Sequence, residues 1–124
     1  MKVIPETVRQ FLVKHIHSVD ALEILLLLRQ QPDKEWGPLA LSRELRTERT
    51  SALARLQMLS AAGMLSSRYA GSEQTFRYQP STPALERTIN ELAKWYSSHR
   101  VAVIALIYSD AAEKLFTGSD GSAR

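Results

Sequence analysis

Six arginines, Arg43, Arg46, Arg49, Arg55, Arg68 and Arg77, are the only cations between residues 37 and 79, where they face just three anions, Glu44, Glu48 and Glu73. A guanidinium is permanently charged, and its planar fork matches both phosphate oxygens and the major-groove edge of guanine. On either side the charges cancel: residues 1–36 hold five cations and five anions, and so do residues 80–124. The formal net charge of +3 therefore lies wholly in the middle stretch. Binding a polyanion is the chemistry this cluster suits, and a set of solvated surface arginines is the plainer alternative.

Other chemistries lack their residues. There is no cysteine, which excludes disulfides, thiolate metal sites and cysteine nucleophiles. His15 and His17 alternate in a way that suits a strand better than a helix for joint ligation, and His99 is remote in sequence, so no metal site is expected. No serine lies in a nucleophile-elbow glycine pattern, and the five glycines, at 37, 63, 71, 118 and 121, form no phosphate-binding loop. Neither an enzyme nor a cofactor is expected. The opening Met-Lys-Val-Ile-Pro-Glu has no apolar signal core, and the runs Ile24–Leu28 and Val101–Tyr108 fall far below the ~20 residues of a membrane span. A cytoplasmic protein is the expectation. With 124 residues, 44% apolar and 23% charged, the chain suits one domain over residues 1–116, followed by a disordered Gly/Ser-rich tail, 117–124.

Helical periodicity places the elements. A first helix is expected to open at Pro5 and carry Val8, Phe11, Leu12 and Ile16 on one face. Ser18 reads as the cap of a second, which is apolar all round from Ile24 to Leu28, hence central, and ends before Pro32. Gln30–Gly37 reads as a loop. A short third helix spans Pro38–Arg46, and a tight break with Thr47 as cap leads to a fourth, running to Ala62 and stopping at Gly63. Met64–Tyr69 and Thr75–Gln79 read as a hairpin around a five-residue loop. Thr82-Pro83 opens a long helix with Leu85, Ile89, Leu92 and Tyr96 on one face. Val101–Tyr108 suits a buried strand or a helix side; helix is preferred, because a lone strand would need an edge to pair with. Trp36 and Trp95 are expected to bury apolar surface, with one of Trp95 and Tyr96 turned away from the core.

This order of elements, mainly α with a small β-hairpin, is that of a winged helix-turn-helix with extra N- and C-terminal helices. Leu39–Pro80 resembles the DNA-binding core of bacterial repressors of the ArsR-like and MarR-like kinds. The most specific segment, Ala52-Leu-Ala-Arg-Leu-Gln-Met-Leu-Ser-Ala-Ala-Gly-Met-Leu65, resembles their recognition helix and its Leu-x-x-Leu-x-x-x-Gly-Leu-Val exit into the wing. Arg77-Tyr78 with Pro80 resembles the returning wing strand. The resemblance implies a transcriptional regulator that binds double-stranded DNA.

At 100° per residue, Ala52, Leu56, Leu59 and Gly63 form the core stripe of the fourth helix. Thr50, Leu53, Ala54 and Gln57, with Arg49 at the start, form the neighbouring stripe that in the family enters the major groove. Leu53 and Ala54 depart from the polar side chains usual there; alanine can still meet a thymine methyl, and Arg49 and Gln57 can reach base edges. Arg43 and Arg46 suit phosphates beside the positioning helix, and Arg68 and Arg77 suit the backbone or minor groove from the wing. Arg55, off that stripe, is expected to pair internally. The outer helices, Pro5–Ile16 and Thr82–Phe116, carry more apolar surface than one small domain needs, so a homodimer through Phe11, Leu12, Trp95, Val101, Ile104 and Tyr108 is expected. Two other readings stay open. One is a protein-interaction module docking a protein partner on Leu53, Ala54 and Val101–Tyr108; the other is a sensor with a ligand pocket between the first and last helices.

Overall fold

The computed structural model describes residues 4–109. In chain order the elements are α1 (Glu6–His15), α2 (Val19–Gln30), α3 (Pro38–Leu45), α4 (Arg49–Ala61), β1 (Leu65–Ala70), β2 (Glu73–Tyr78) and α5 (Pro83–Ser98). A sixth helix, α6, occupies residues 100–109. The expected tail, 117–124, and residues 110–116 of the last expected helix lie outside the described residues. Two compact units form: one is Asp20–Glu86, the other joins the segment before it to the segment after it. No helix among the described residues is long and apolar enough to cross a membrane.

In the first unit, α2 buries Ala21, Leu22, Ile24, Leu25 and Leu28, while Leu26 and Leu27 are half-buried. α3 packs against α4, and α4 against β1. Ala52, Leu56 and Leu59 are all buried, so the core stripe of α4 follows its periodicity. The break between the helices is longer than the sequence suggests. Arg46 takes the left-handed conformation (φ 54°, ψ 47°), and the Thr47 amide still donates to the Ser42 carbonyl at 3.1 Å. Thr47 thus closes α3, and Glu48, not Thr47, holds the N-cap position of α4. The Glu48 side chain makes no capping bond.

β1 and β2 pair antiparallel from Leu65↔Tyr78 to Ala70↔Glu73. The loop is therefore two residues, Gly71-Ser72, and not five. Gly71 has φ +68°, and Ser72 is not among the positive-φ residues, the type II′ pattern whose twist matches that of the flanking strands. Trp36 also departs from the expected loop. Its amide donates to the Phe76 carbonyl at 2.7 Å, and the Phe76 amide donates back at 2.9 Å, so Trp36 adds a bridge to the outer edge of β2. Its side chain is buried, as is that of Phe76. Gly63 (φ +88°) turns the chain out of α4, and a Cβ there would stand 2.7 Å from the Ser81 Oγ. The Leu85 amide donates to the Thr82 Oγ1 at 3.1 Å, the cap expected for α5.

In the second unit, α1 begins one residue later than expected. Pro5 has a helical φ of −57° but an extended ψ of 146°, so it occupies the N-cap position. Val8, Phe11, Leu12 and Ile16 are buried, as are Ile89, Leu92, Tyr96, Val103 and Ile107. α6 follows α5 through a break at His99. Hydrogen bonding still runs across it: the His99 amide donates to the Trp95 carbonyl, and the Val103 amide to the His99 carbonyl. Val101–Tyr108 is helix.

Candidate nucleic-acid interface

α3 and α4 are short enough, and their turn sharp enough, to present one outward surface built by helical spacing. Arg49, Thr50, Ala54 and Gln57 are exposed on α4, and Leu53 beside them is half-buried. Arg43 is exposed on α3, and Arg46 is exposed at the turn. Glu44 and Glu48 are exposed nearby, yet neither forms an ion pair with Arg43, Arg46 or Arg49 among the described residues. Arg55 is turned elsewhere. Its guanidinium lies 3.7 Å from the Asp20 carboxylate and reaches the Ser51 carbonyl at 3.4 Å, the internal pairing expected of it.

The hairpin has two distinct faces, because cross-strand partners share a side of the sheet. Ser66 faces Arg77 and Arg68 faces Thr75 on one side; Ser67 faces Phe76 and Tyr69 faces Gln74 on the other. Arg77 is exposed, with one guanidinium nitrogen 3.3 Å from the Gln79 amide oxygen. Arg68 is held. Its Nε and Nη2 both donate to the Glu35 carboxylate, the second at 2.6 Å. These hydrogen bonds, with the charge of Arg68 and the nearby charge of Arg77, hold the Glu35 carboxyl below the usual carboxylate range. The same bonds raise the basicity of Arg68.

Gln57 is held too. Its amide nitrogen donates to the Gln74 amide oxygen at 3.2 Å, and the Gln74 nitrogen reaches the Ser67 hydroxyl at 3.5 Å. Of the eight residues read from the sequence as DNA contacts, the structure leaves Arg43, Arg46, Arg49, Thr50, Ala54 and Arg77 facing outward and engages Gln57 and Arg68 within the protein. Tyr69 was not singled out by sequence reasoning. It lies two residues from the hairpin turn and is 68% exposed; an aromatic residue next to a wing arginine was the signal available for it.

The residues read as a dimer face divide in the same way. Phe11 and Leu12 are buried, whereas Val101 and Tyr108 are 80% and 65% exposed. Trp95 and Ile104 are half-buried, the Trp95 ring lying 4.6 Å from that of His99. Tyr96 is the buried member of the Trp95-Tyr96 pair. Val101, Ile104 and Tyr108 are three and four residues apart, so they lie on one stripe of α6.

Two packed helices joined by a sharp turn, the second leaving through a glycine into an antiparallel hairpin, make this a winged helix-turn-helix fold. One similar solved structure is the homodimeric winged helix-turn-helix DNA-binding domain, fragment 1–100, of a possible ArsR-family transcriptional regulator from Mycobacterium bovis. It is 24% identical, with a TM-score of 0.56, over 73% of this chain and 81% of that one. Another is the adhesin competence repressor AdcR from Streptococcus pyogenes, 14% identical, with a TM-score of 0.52, over 94% of this chain and 85% of that one. At these identities the likeness is one of fold. No family model matches the sequence, and no curated protein matches it.

Proposed function

We propose that this chain is a DNA-binding transcriptional regulator that works as a homodimer. The observation that carries the reading is the group Arg43, Arg46 and Arg49, exposed around the α3–α4 turn and ion-paired with no carboxylate among the described residues. Arg43, Arg46 and Arg77 take phosphates, which fix the position of α4 in the groove. Arg49 reaches a guanine edge, Ala54 a thymine methyl and Thr50 either a base or the backbone. Direct readout is thin, so most of the affinity is electrostatic. The Val101, Ile104 and Tyr108 stripe, with Trp95, supports the dimer. Two copies then set two recognition helices in successive major grooves, about one helical turn apart. The homodimeric description of the Mycobacterium bovis domain supports the same assembly.

Titration of fluorescent duplex DNA across a salt series tests this. The logarithm of the binding constant should fall linearly with that of salt, with a slope near −0.9 for each phosphate neutralised. No binding at low salt overturns the reading. A second reading rests on the apolar character of the same surface: Leu39 is 40% exposed on α3, and Leu53 and Ala54 stand where polar side chains are usual. In it the fold docks a protein partner. Leu53→Arg then abolishes capture of that partner, whereas under DNA binding it leaves duplex affinity equal or higher.

A further inference from the structure

We propose that Arg68 and Gln57 are positioning residues that clamp the wing to the helix-turn-helix from its two faces, so that an acid, Glu35, contributes to DNA affinity. This deepens the DNA-binding reading and rests on it. A two-stranded hairpin alone is marginally stable in water, and a wing ordered only on DNA would lose that ordering entropy from its affinity. Here it is tied down in the free protein.

The tie on one face begins at α3. Gly37 is the N-cap residue of that helix and Pro38 its first residue, so Glu35 and Trp36 are joined to it through one glycine. Trp36 exchanges two backbone hydrogen bonds with Phe76. In that antiparallel register Glu35 stands opposite Arg77 of β2, and Arg68, on β1 beyond it, reaches across β2 so that its two nitrogens fork onto the Glu35 carboxylate. Two bonds from one planar group fix direction as well as distance. The tie on the other face comes from α4, through Gln57 to Gln74 and on to Ser67. Each exposed link is weak by itself. Together they reach both strands of the wing from both helices of the motif.

The proposal reverses a sign. If Arg68 were a phosphate contact, Glu35 would be a competing anion, and its removal would release the arginine for DNA. If Arg68 positions the wing, losing either partner loosens it equally. Duplex binding is measured across a salt series for Glu35→Ala, Arg68→Ala and the double variant. The expected result is a loss of about 1.4- to 5-fold per subunit for each single variant, the range of an exposed ion pair. The double variant should be no worse than either, and the salt slope unchanged. Equal or tighter binding by Glu35→Ala, with the slope of Arg68→Ala reduced by about one per subunit, overturns the clamp. Amide exchange is measured on the same free proteins. The Trp36 and Phe76 amides should exchange faster in both single variants, and unchanged exchange overturns the clamp. If the wild-type chain binds no duplex, the DNA reading alone fails, and the exchange data still decide the clamp.

Discussion

Arg46 sits in a backbone conformation that glycine would hold at lower cost. A left-handed residue with a Cβ costs about 1–2 kcal/mol, of which glycine would return about 0.5–1 kcal/mol as lost chain entropy. Arg46→Gly is therefore expected to raise stability by up to about 1 kcal/mol, seen as a higher urea midpoint at an unchanged m value. The same variant should lower the salt slope for duplex binding by about one per subunit. A loss of duplex affinity alongside a gain in stability would be the stability–function exchange that the proposed Arg46 phosphate contact entails. His15 offers a pH test. Burial, and then the charges of Lys14 and His17, hold its imidazole below the ordinary value of 6.5. Below that value the unfolded chain binds the proton more readily than the folded one, so stability is present above it and is lost as pH falls. Urea melts from pH 7.5 to 5 should show this decline, and His15→Gln should make it shallower.

At the scale of elements, two glycines with similar backbones should respond differently. Gly63 and Gly71 both have positive φ, but a Cβ at Gly63 meets the Ser81 Oγ, whereas one at Gly71 meets nothing within 4 Å. Gly63→Ala and Gly71→Ala should both lower the melting temperature, because a positive φ strains any residue with a Cβ, and Gly63→Ala should lower it further because its Cβ also meets Ser81. Thr82→Ala removes the cap of α5 and should cost about 1 kcal/mol. Both the cap and the α4 core stripe were legible because they are local, read from a threonine before a proline and from apolar residues three and four apart. The wing was legible only in outline. Ala70, Glu73 and Gln74 have weak strand preference, and pairing with the opposite strand drew them into the sheet. The ties at the candidate site were not legible. Glu35 and Arg68 are 33 residues apart, Gln57 and Gln74 are 17 apart, and no periodicity connects them. Arginine content located the surface, but only the fold distinguished arginines held by a carboxylate from those facing outward.

At the scale of the whole molecule, the proposed dimer would carry twice the net charge of +3, so duplex affinity should depend on assembly. Val101 and Tyr108 are exposed, so Val101→Glu with Tyr108→Glu should leave each chain folded while placing four like charges in the proposed interface. Sedimentation should show monomers in place of dimers, and binding to a two-half-site duplex should weaken far more than binding to a single half-site. The Trp36 bridge also bears on solubility. An open strand edge presents unsatisfied amides and carbonyls to any neighbouring chain and invites strand addition into aggregates. Trp36 occupies part of the outer edge of β2, and the exposed part of β1 carries Ser67 and Arg68. The residue that helps fix the wing in place thereby also removes a template for cross-chain β-pairing.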